Sequence, residues 1–158
     1  MSSDPKHDFW LALARSPFLM VRLNDGNEHA LPMTAQIDAD LGPARGGVIW
    51  FFTQPQNRLA RGGPAMAQFV SKGHDLFACL AGTIRREEDE AVIDRFWSNA
   101  VAAWYDQGRA DPDLLMLRMD LTDIEIWETD IGIKGLFKML TGSKVRPGET
   151  GSHVHEAV

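Results

Sequence analysis

The chain has 158 residues, of which 44% are hydrophobic and 24% are charged, a composition typical of one globular domain with its own core. It contains 16 Lys and Arg residues against 22 Asp and Glu residues, so the formal net charge is −6. This balance argues against nucleic acid as a partner, because polyanion binding depends on clustered positive charge. An anionic ligand must therefore be held by a local group of donors.

The sequence lacks the patterns that predict a disulfide, a metal site or a membrane span. The single cysteine, Cys79, excludes an internal disulfide and a cysteine-based zinc site. His153-x-His155 supplies only two of the roughly four ligands that a structural metal needs, so we predict no metal site. No apolar run has the length of a signal peptide or a membrane span. We therefore expect a cytoplasmic protein that has no membrane partner.

The N-terminal segment predicts a helix followed by a strand. Asp4 is a suitable N-cap, Pro5 suits the first helical position, and the helix is expected to end at Ser16 before a second proline. Residues 18–23, which are apolar except for Arg22, then have the length and composition of a strand.

A hairpin is predicted next, because Asp25-Gly26 lies between two apolar runs. In the returning strand, apolar residues occupy alternate positions from Leu31 to Ile37. Pro32 lies within that strand and cannot donate to a hydrogen-bond ladder. We therefore expect it at an edge, at a bulge or beside a gap that faces a ligand. An edge strand that proline merely protects from aggregation is the alternative.

The central part of the chain predicts three strands and one short helix. Residues 48–53 form a continuous apolar run that is typical of a strand buried on both faces. Residues 54–61 predict a short helix that ends at two glycines. Residues 65–71 and 74–85 predict a second hairpin.

The longest helix is predicted over residues 87–107. Ile93, Trp97 and Trp104 recur at helical spacing, and such a stripe indicates side chains packed on the core. Acidic residues crowd its first turn, where the helix dipole favours them, and Gly108 is expected to end it.

The last predicted strand covers residues 114–128. Its apolar phase shifts near Thr122-Asp123, which predicts a β-bulge at that point. The glycine-containing segment 132–158 is predicted to be a mobile extension.

These elements predict a mainly β fold, a six-stranded antiparallel barrel with appended helices, and not a parallel Rossmann sheet. The barrel is expected to form one domain, residues 1–158, in which residues 1–16 contribute an N-terminal helix. The sequence contains neither G-x-G-x-x-G nor a P-loop, so the two commonest nucleotide cradles are absent.

Two segments are candidates for ligand binding. Asn57, Arg58 and Arg61 follow a buried strand, and guanidinium groups are suitable bidentate donors for a phosphate. Residues 29–34 offer backbone groups and apolar side chains on which a flat heteroaromatic ring could dock. Each segment also has a simpler interpretation, a solvated surface helix for the first and a protected edge strand for the second.

The sequence resembles the pyridoxamine-phosphate-oxidase-like flavoproteins, in their bacterial general-stress-protein branch, from about Phe9 to about Trp127. The resemblance rests on the order and spacing of Leu31-Pro32-Met33, Ile49-Trp50-Phe51-Phe52-Thr53, Ala81-Gly82, Trp97, Trp104-Tyr105-x-x-Gly108, Asp111-Pro112 and Ile124-Glu125-Ile126-Trp127. It implies an FMN-binding split β-barrel that forms a homodimer with the flavin at the subunit interface.

The resemblance also implies a set of cofactor-binding residues. They are His29, Ala30, Leu31, Pro32, Met33, Thr34, Phe52, Thr53, Asn57, Arg58, Leu59, Arg61 and Trp127. The sequence departs from the family at three of these positions, where Leu31 replaces an arginine, Asn57 a serine and Leu59 a lysine. Arg58 and Arg61 are the candidates to replace the two missing positive groups. One charge-assisted hydrogen bond is worth about ten- to hundredfold in affinity.

The implied function is FMN binding, with FAD or a deazaflavin as less favoured cofactors, in a flavin-dependent oxidoreductase of unknown substrate. Two alternatives stay open: a non-catalytic flavin carrier or sensor, and a degenerate barrel without cofactor. A flavin reductase that uses a pyridine nucleotide is a further candidate. No catalytic acid or base is identified from the sequence.

Overall fold

The computed structural model describes residues 4–38, 47–129 and 151–158. The elements in chain order are α1 (Pro5–Arg15), β1 (Phe18–Leu23), β2 (Leu31–Thr34), β3 (Val48–Thr53), a 3₁₀ turn (Arg58–Arg61), β4 (Gly63–Val70), β5 (Leu76–Arg86), α2 (Glu90–Phe96), α3 (Asn99–Ala102), a second 3₁₀ turn (Gly108–Ala110), β6 (Leu115–Thr129) and β7 (Gly151–Ala157). Every pair of neighbouring strands is antiparallel.

The six strands of the barrel have the order β2-β1-β4-β5-β6-β3. The two outermost strands are joined by one bridge, in which Gln36 and Trp50 exchange backbone hydrogen bonds of 2.7 and 3.0 Å. From Leu31 to Thr34, the only strand partner of β2 among the described residues is β1. The barrel is therefore open along one edge of β2, and the predicted mainly β split barrel is confirmed.

Helix α1 forms as its sequence predicts. The Asp4 side chain caps it by accepting a hydrogen bond of 3.1 Å from the Lys6 backbone N–H, and Pro5 occupies the first helical position. The apolar face of the helix buries Phe9 and Leu13 completely. Phe9 contacts Phe69 of β4 edge to face, with 5.6 Å between ring centroids. The helix is thus docked on the barrel core by its aromatic stripe.

The predicted bulge in β6 is confirmed. Ala81 pairs with Asp123 but its neighbour Gly82 pairs with Leu121, so Thr122 is the extra residue. A Cβ atom at Gly82 would lie 2.4 Å from the Asp120 carbonyl oxygen, which explains the glycine at this close approach. β6 pairs with β3 before the bulge and with β7 after it.

The prediction of a single long helix over residues 87–107 is wrong. The chain forms α2 and α3, separated at Trp97, which has an extended backbone with φ −65° and ψ 131°. Ser98 then caps α3 by accepting a hydrogen bond from the Val101 N–H, so a local cap overrides the helical periodicity. Trp104 does not pack on the core as the predicted apolar stripe requires, because its surface is 79% exposed.

The prediction that β3 is buried on both faces is only partly right. Ile49 and Phe51 point into the core and are fully buried, whereas the outward Trp50 is half-buried. The Trp50 ring lies 5.0 Å from the ring of Phe96 in α2. One helix therefore covers part of the outer face.

Two further predictions are corrected. In residues 54–61 the expected helix is reduced to a turn and the 3₁₀ segment Arg58–Arg61. The expected mobile extension 132–158 falls partly outside the described residues, but Gly151–Ala157 forms β7, a seventh strand paired with β6. This strand was not predicted because most of its side chains are polar. In the structure, His153 Nε2 lies 2.7 Å from Glu125 Oε1, and the His153 ring stacks on Trp127.

Candidate functional site

The open edge of β2 is one side of the candidate site. Pro32 pairs with Met20 of β1 and projects to the exposed side of the strand, as does Thr34. Met33, between them, is buried. The sequence prediction that Pro32 lies at an edge is confirmed, since β2 is the terminal strand of the sheet.

Asn57 joins this edge to the end of β3. Its Nδ2 donates a hydrogen bond of 2.9 Å to Thr53 Oγ1 and lies 3.7 Å from Met33 Sδ. Its Oδ1 accepts a hydrogen bond of 2.8 Å from the backbone N–H of Leu59. One amide side chain therefore holds β2, β3 and the 3₁₀ turn together, because an amide both donates and accepts.

Arg58 and Arg61 lie beside the loop between β1 and β2. Arg58 Nη2 donates to the carbonyl oxygen of His29, and Arg58 Nε lies 3.8 Å from Glu28 Oε2. Arg61 Nη2 contacts Glu28 Oε1 at 2.6 Å and Asp25 Oδ1 at 3.5 Å. The hydrogen bond with Glu28 raises the pKa of Arg61 above its ordinary value. Both guanidinium groups are thus positioned together at the surface.

An aromatic group supports the other side of Thr53. The rings of Phe52 and Trp97 are 6.0 Å apart, and those of Trp97 and Tyr105 are 5.8 Å apart. The Tyr105 hydroxyl donates to the Thr53 carbonyl oxygen. Burial raises the pKa of Tyr105 to about 12, so its hydroxyl keeps the proton that this hydrogen bond requires.

The structure brings most of the predicted site residues to this edge of the barrel. They are His29, Ala30, Leu31, Pro32, Met33, Thr34, Phe52, Thr53, Asn57, Arg58 and Arg61. The Leu59 side chain is only 1% exposed and belongs to the core, and its backbone N–H and carbonyl oxygen are already bonded to Asn57 and Gly62, so this residue supports the turn and does not face a ligand.

Trp127 does not join the others within one chain. It lies after the bulge in β6, whereas Phe52 pairs with Met116 before the bulge. Eleven residues of strand separate these two positions on β6, roughly 35 Å along its axis. Trp127 is partly exposed on the outer face of the sheet.

Sequence reasoning missed two residues at this site. Glu28 contacts both arginines, but an isolated acidic residue in a turn gives no signal in the sequence. Tyr105 fastens the segment after α3 to β3. Its place in the motif Trp104-Tyr105-x-x-Gly108 was the available hint, but no role in the site was assigned to it from the sequence.

The described part of the chain holds no cluster of three or more His, Cys, Asp or Glu residues arranged to bind a metal ion. Its helices are also too short to cross a membrane.

Comparison with protein families gives one match over most of the chain. The family described as "Pyridoxamine 5'-phosphate oxidase like" matches residues 5–146. No curated protein matches the chain.

Solved structures are similar as well. A general stress FMN/FAD binding protein from Xanthomonas citri is 42% identical, with a TM-score of 0.72 over 80% of this chain and 90% of that one. A protein assigned to the general stress family, from Xanthomonas campestris pv. campestris, is 40% identical over the same shares, with a TM-score of 0.68. A candidate general stress protein 26 from Jannaschia sp. is 29% identical, with a TM-score of 0.78 over 99% of each chain.

Proposed function

Because the chain belongs to the pyridoxamine 5'-phosphate oxidase like family, we propose that it binds FMN at the open edge of its barrel. The similar protein from Xanthomonas citri is described as binding FMN or FAD. The observation that carries the proposal is the juxtaposition of an unpaired strand edge with two guanidinium groups.

The residues present fit the chemistry of FMN. A flavin ring is flat, with hydrogen-bonding groups along its edge, and the unpaired edge of β2 offers backbone groups beside apolar side chains. The phosphate at the other end of FMN is an anion, and Arg58 and Arg61 supply planar donors suited to it. FMN is therefore favoured over riboflavin, which lacks the phosphate.

The partner that we propose is a second copy of the chain. The outer face of the sheet carries apolar side chains that are exposed in one chain. They are Phe18, Met20, Val70, Phe77 and Trp127. The register places Phe77 between Val70 of β4 and Trp127 of β6. An apolar band of this kind is typical of an interaction surface.

Trp127 supports this arrangement. It lies too far from Phe52 to share a ligand within one chain, so a site that uses both residues needs Trp127 from a second copy. A dimer across the outer sheet face would cover the exposed band and bring this tryptophan toward the partner's ligand. We therefore place FMN at the interface between two copies.

The reaction proposed is a flavin-dependent oxidation or reduction of a substrate that the site does not specify. When bound, the flavin supplies the electron-accepting and electron-donating chemistry, and the chain supplies orientation and electrostatics. Phe52, Thr53 and Asn57 would set the position of the ring relative to the phosphate. A non-catalytic carrier or sensor is the second candidate. Tyr105 is compatible with both candidates, because its hydroxyl donates to the Thr53 carbonyl oxygen and so supports β3 in either case.

A titration with FMN, followed by quenching of flavin fluorescence, tests the proposal directly. The Arg58→Ala variant is expected to bind FMN about tenfold more weakly, because it loses one charge-assisted hydrogen bond. Arg85→Ala is the matched control, since Arg85 is an exposed arginine that pairs with Asp120. Absence of flavin binding by the unaltered protein would refute the proposed function, and equal affinity of the two variants would remove Arg58 from the site. Oxidation of NAD(P)H by the loaded protein would identify the third candidate, a flavin reductase that uses a pyridine nucleotide.

The dimer is tested separately by sedimentation velocity. Phe77→Glu places a charge in the centre of the apolar band and is expected to shift the protein from dimer to monomer, because burying an unpaired charge is costly. Lys72→Glu, in the turn between β4 and β5, is the control that should stay dimeric. A monomeric unaltered protein would contradict the proposed interface.

A further inference from the structure

The Arg58–Arg61 pair is already occupied by a carboxylate of the same chain. Glu28 directs one oxygen at each guanidinium, with Oε1 2.6 Å from Arg61 Nη2 and Oε2 3.8 Å from Arg58 Nε. A phosphate that bound both arginines would present two of its oxygens in the same way. Glu28 thus occupies the position that an anionic ligand needs.

The net positive charge at this site is small. Arg22 also lines the crevice formed by Glu28, Arg58 and Arg61, and its guanidinium donates to the Gly26 carbonyl oxygen. Three positive charges are therefore opposed by Glu28 and by Asp25, which contacts Arg61 at 3.5 Å. With Glu28 in place the net local charge is about one positive unit, which is weak for a phosphate dianion.

Moving the Glu28 side chain away from the two arginines costs little free energy. Its side chain is 45% exposed, and it lies in the loop between β1 and β2, outside any helix or strand. Exposed ion pairs of this kind contribute little to stability. A carboxylate tethered so close to its partners nevertheless acts at a high effective concentration. It can therefore compete with a ligand without being essential to the fold.

We infer that Glu28 is a built-in competitor for the ligand phosphate, which exchanges with it at Arg58 and Arg61 and so reduces the preference of this site for phosphorylated flavin. The inference rests on the proposed function, because it assumes that a flavin binds at this edge. Riboflavin has no phosphate and does not compete with Glu28. The residue therefore sets the ratio of the FMN affinity to the riboflavin affinity, and both affinities can be measured without any reaction.

The test compares Glu28→Gln with the unaltered protein, using FMN and riboflavin as separate probes. Glutamine keeps the size of the side chain and removes its charge. FMN affinity is expected to rise about two- to fivefold at low salt, the range given by exposed ion pairs, while riboflavin affinity stays constant. The gain should shrink in 0.5 M KCl, because salt screens exposed charges.

Glu156→Gln is the matched control. Glu156 is an exposed acidic residue of β7 that pairs with Lys6 of α1. It lies four strands from β1 in the sheet order, roughly 19 Å away, and is expected to change neither affinity. A general effect of net charge would appear in both variants.

The outcomes separate the inference from the proposed function. If FMN and riboflavin both bind and Glu28→Gln leaves their ratio unchanged, Glu28 is not a competitor, while the flavin site stands. If the FMN affinity falls in this variant, Glu28 helps to position the arginines and the inference is overturned. If neither flavin binds to any variant, the proposed function fails and the inference fails with it.

Discussion

The described part of the barrel contains two buried glutamates whose surroundings are opposite in kind. Glu87 and Glu128 are exposed by only 8% and 5%. Glu87 Oε1 accepts hydrogen bonds of 3.0 Å from Trp50 Nε1 and from Arg118 Nη1. A buried carboxylate is tolerated when a cation and further donors satisfy it, and Glu87 meets both conditions.

Among the described residues, Glu128 lies beside the carboxyl groups of Asp8 and Asp75. Burial, together with the nearby carboxyl group of Asp8 in α1, raises the pKa of Glu128 to about 7, and Asp75 adds to this effect. Glu128 Oε1 and Asp8 Oδ2 are both buried, and neither has a hydrogen-bond partner within the described part of the chain. Protonation of Glu128 relieves the repulsion between the two carboxyl groups, so this contact depends on pH.

The comparison shows that burial alone does not determine what a carboxyl group does in this fold. Beside Glu87, the Arg118 guanidinium lies over the Trp50 ring. Glu87 and Arg118 together fix Trp50, and with it the outer face of β3 near the candidate site. The Glu128 group joins α1 to the far end of β6. The first contact is an ion pair with a hydrogen-bonded anion, and the second is a carboxyl pair that weakens when it loses its proton.

Removing the cation from the first group should have the largest effect. Arg118→Ala leaves Glu87 buried with Trp50 as its remaining side-chain donor, and we expect a loss of about 3 kcal/mol in the free energy of unfolding. Arg85→Ala is the matched control, because Arg85 is exposed and pairs with Asp120, the other partner of Arg118. Its cost should stay below about 1 kcal/mol. Urea unfolding followed by circular dichroism measures both, and equal losses would mean that Glu87 does not depend on Arg118.

Much of the fold could be predicted from local sequence signals. β1 and β3 have the predicted boundaries, since short apolar runs between turn residues leave few alternatives. The bulge at Thr122 was visible as a change in apolar phase. The break at Ser98 was not, because a helix cap and a helical residue look alike until tertiary packing selects one. β7 was missed because its polar side chains find their partners only on β6.

The candidate site was predictable only in part. Pro32 signalled an open strand edge, and Arg58 and Arg61 signalled an anion site, because each residue type restricts what its backbone or charge can do. Glu28 lies thirty residues or more from both arginines in sequence, and only the packing of the β1–β2 loop on the 3₁₀ turn brings them together. The acidic pair of Glu128 and Asp8 is likewise a tertiary contact, between α1 and the end of β6.

A smaller effect, with a distinctive pH dependence, is expected at the second group. The pKa of Glu128 is higher in the folded chain, about 7, than its ordinary value of 4.5. The folded state therefore binds more protons than the unfolded state between these two values, and stability falls as the pH rises through this interval. Glu128→Gln removes the ionisation and should raise stability relative to the unaltered protein by about 1–3 kcal/mol at pH 8. At pH 4.5 and below, this relative gain should be lost.

Glu87→Gln is the control that makes this prediction specific to the carboxyl pair. It is the same substitution at a glutamate of similar burial, but it deprives Arg118 of its buried anion and should destabilise the protein at pH 8. Thermal unfolding of the three proteins between pH 4.5 and 8 measures the difference between each variant and the unaltered protein. A gain from Glu128→Gln that is constant over this range would show that the side chain is stabilised as an amide for reasons of packing, and the ionisation of Glu128 would then be excluded as the cause.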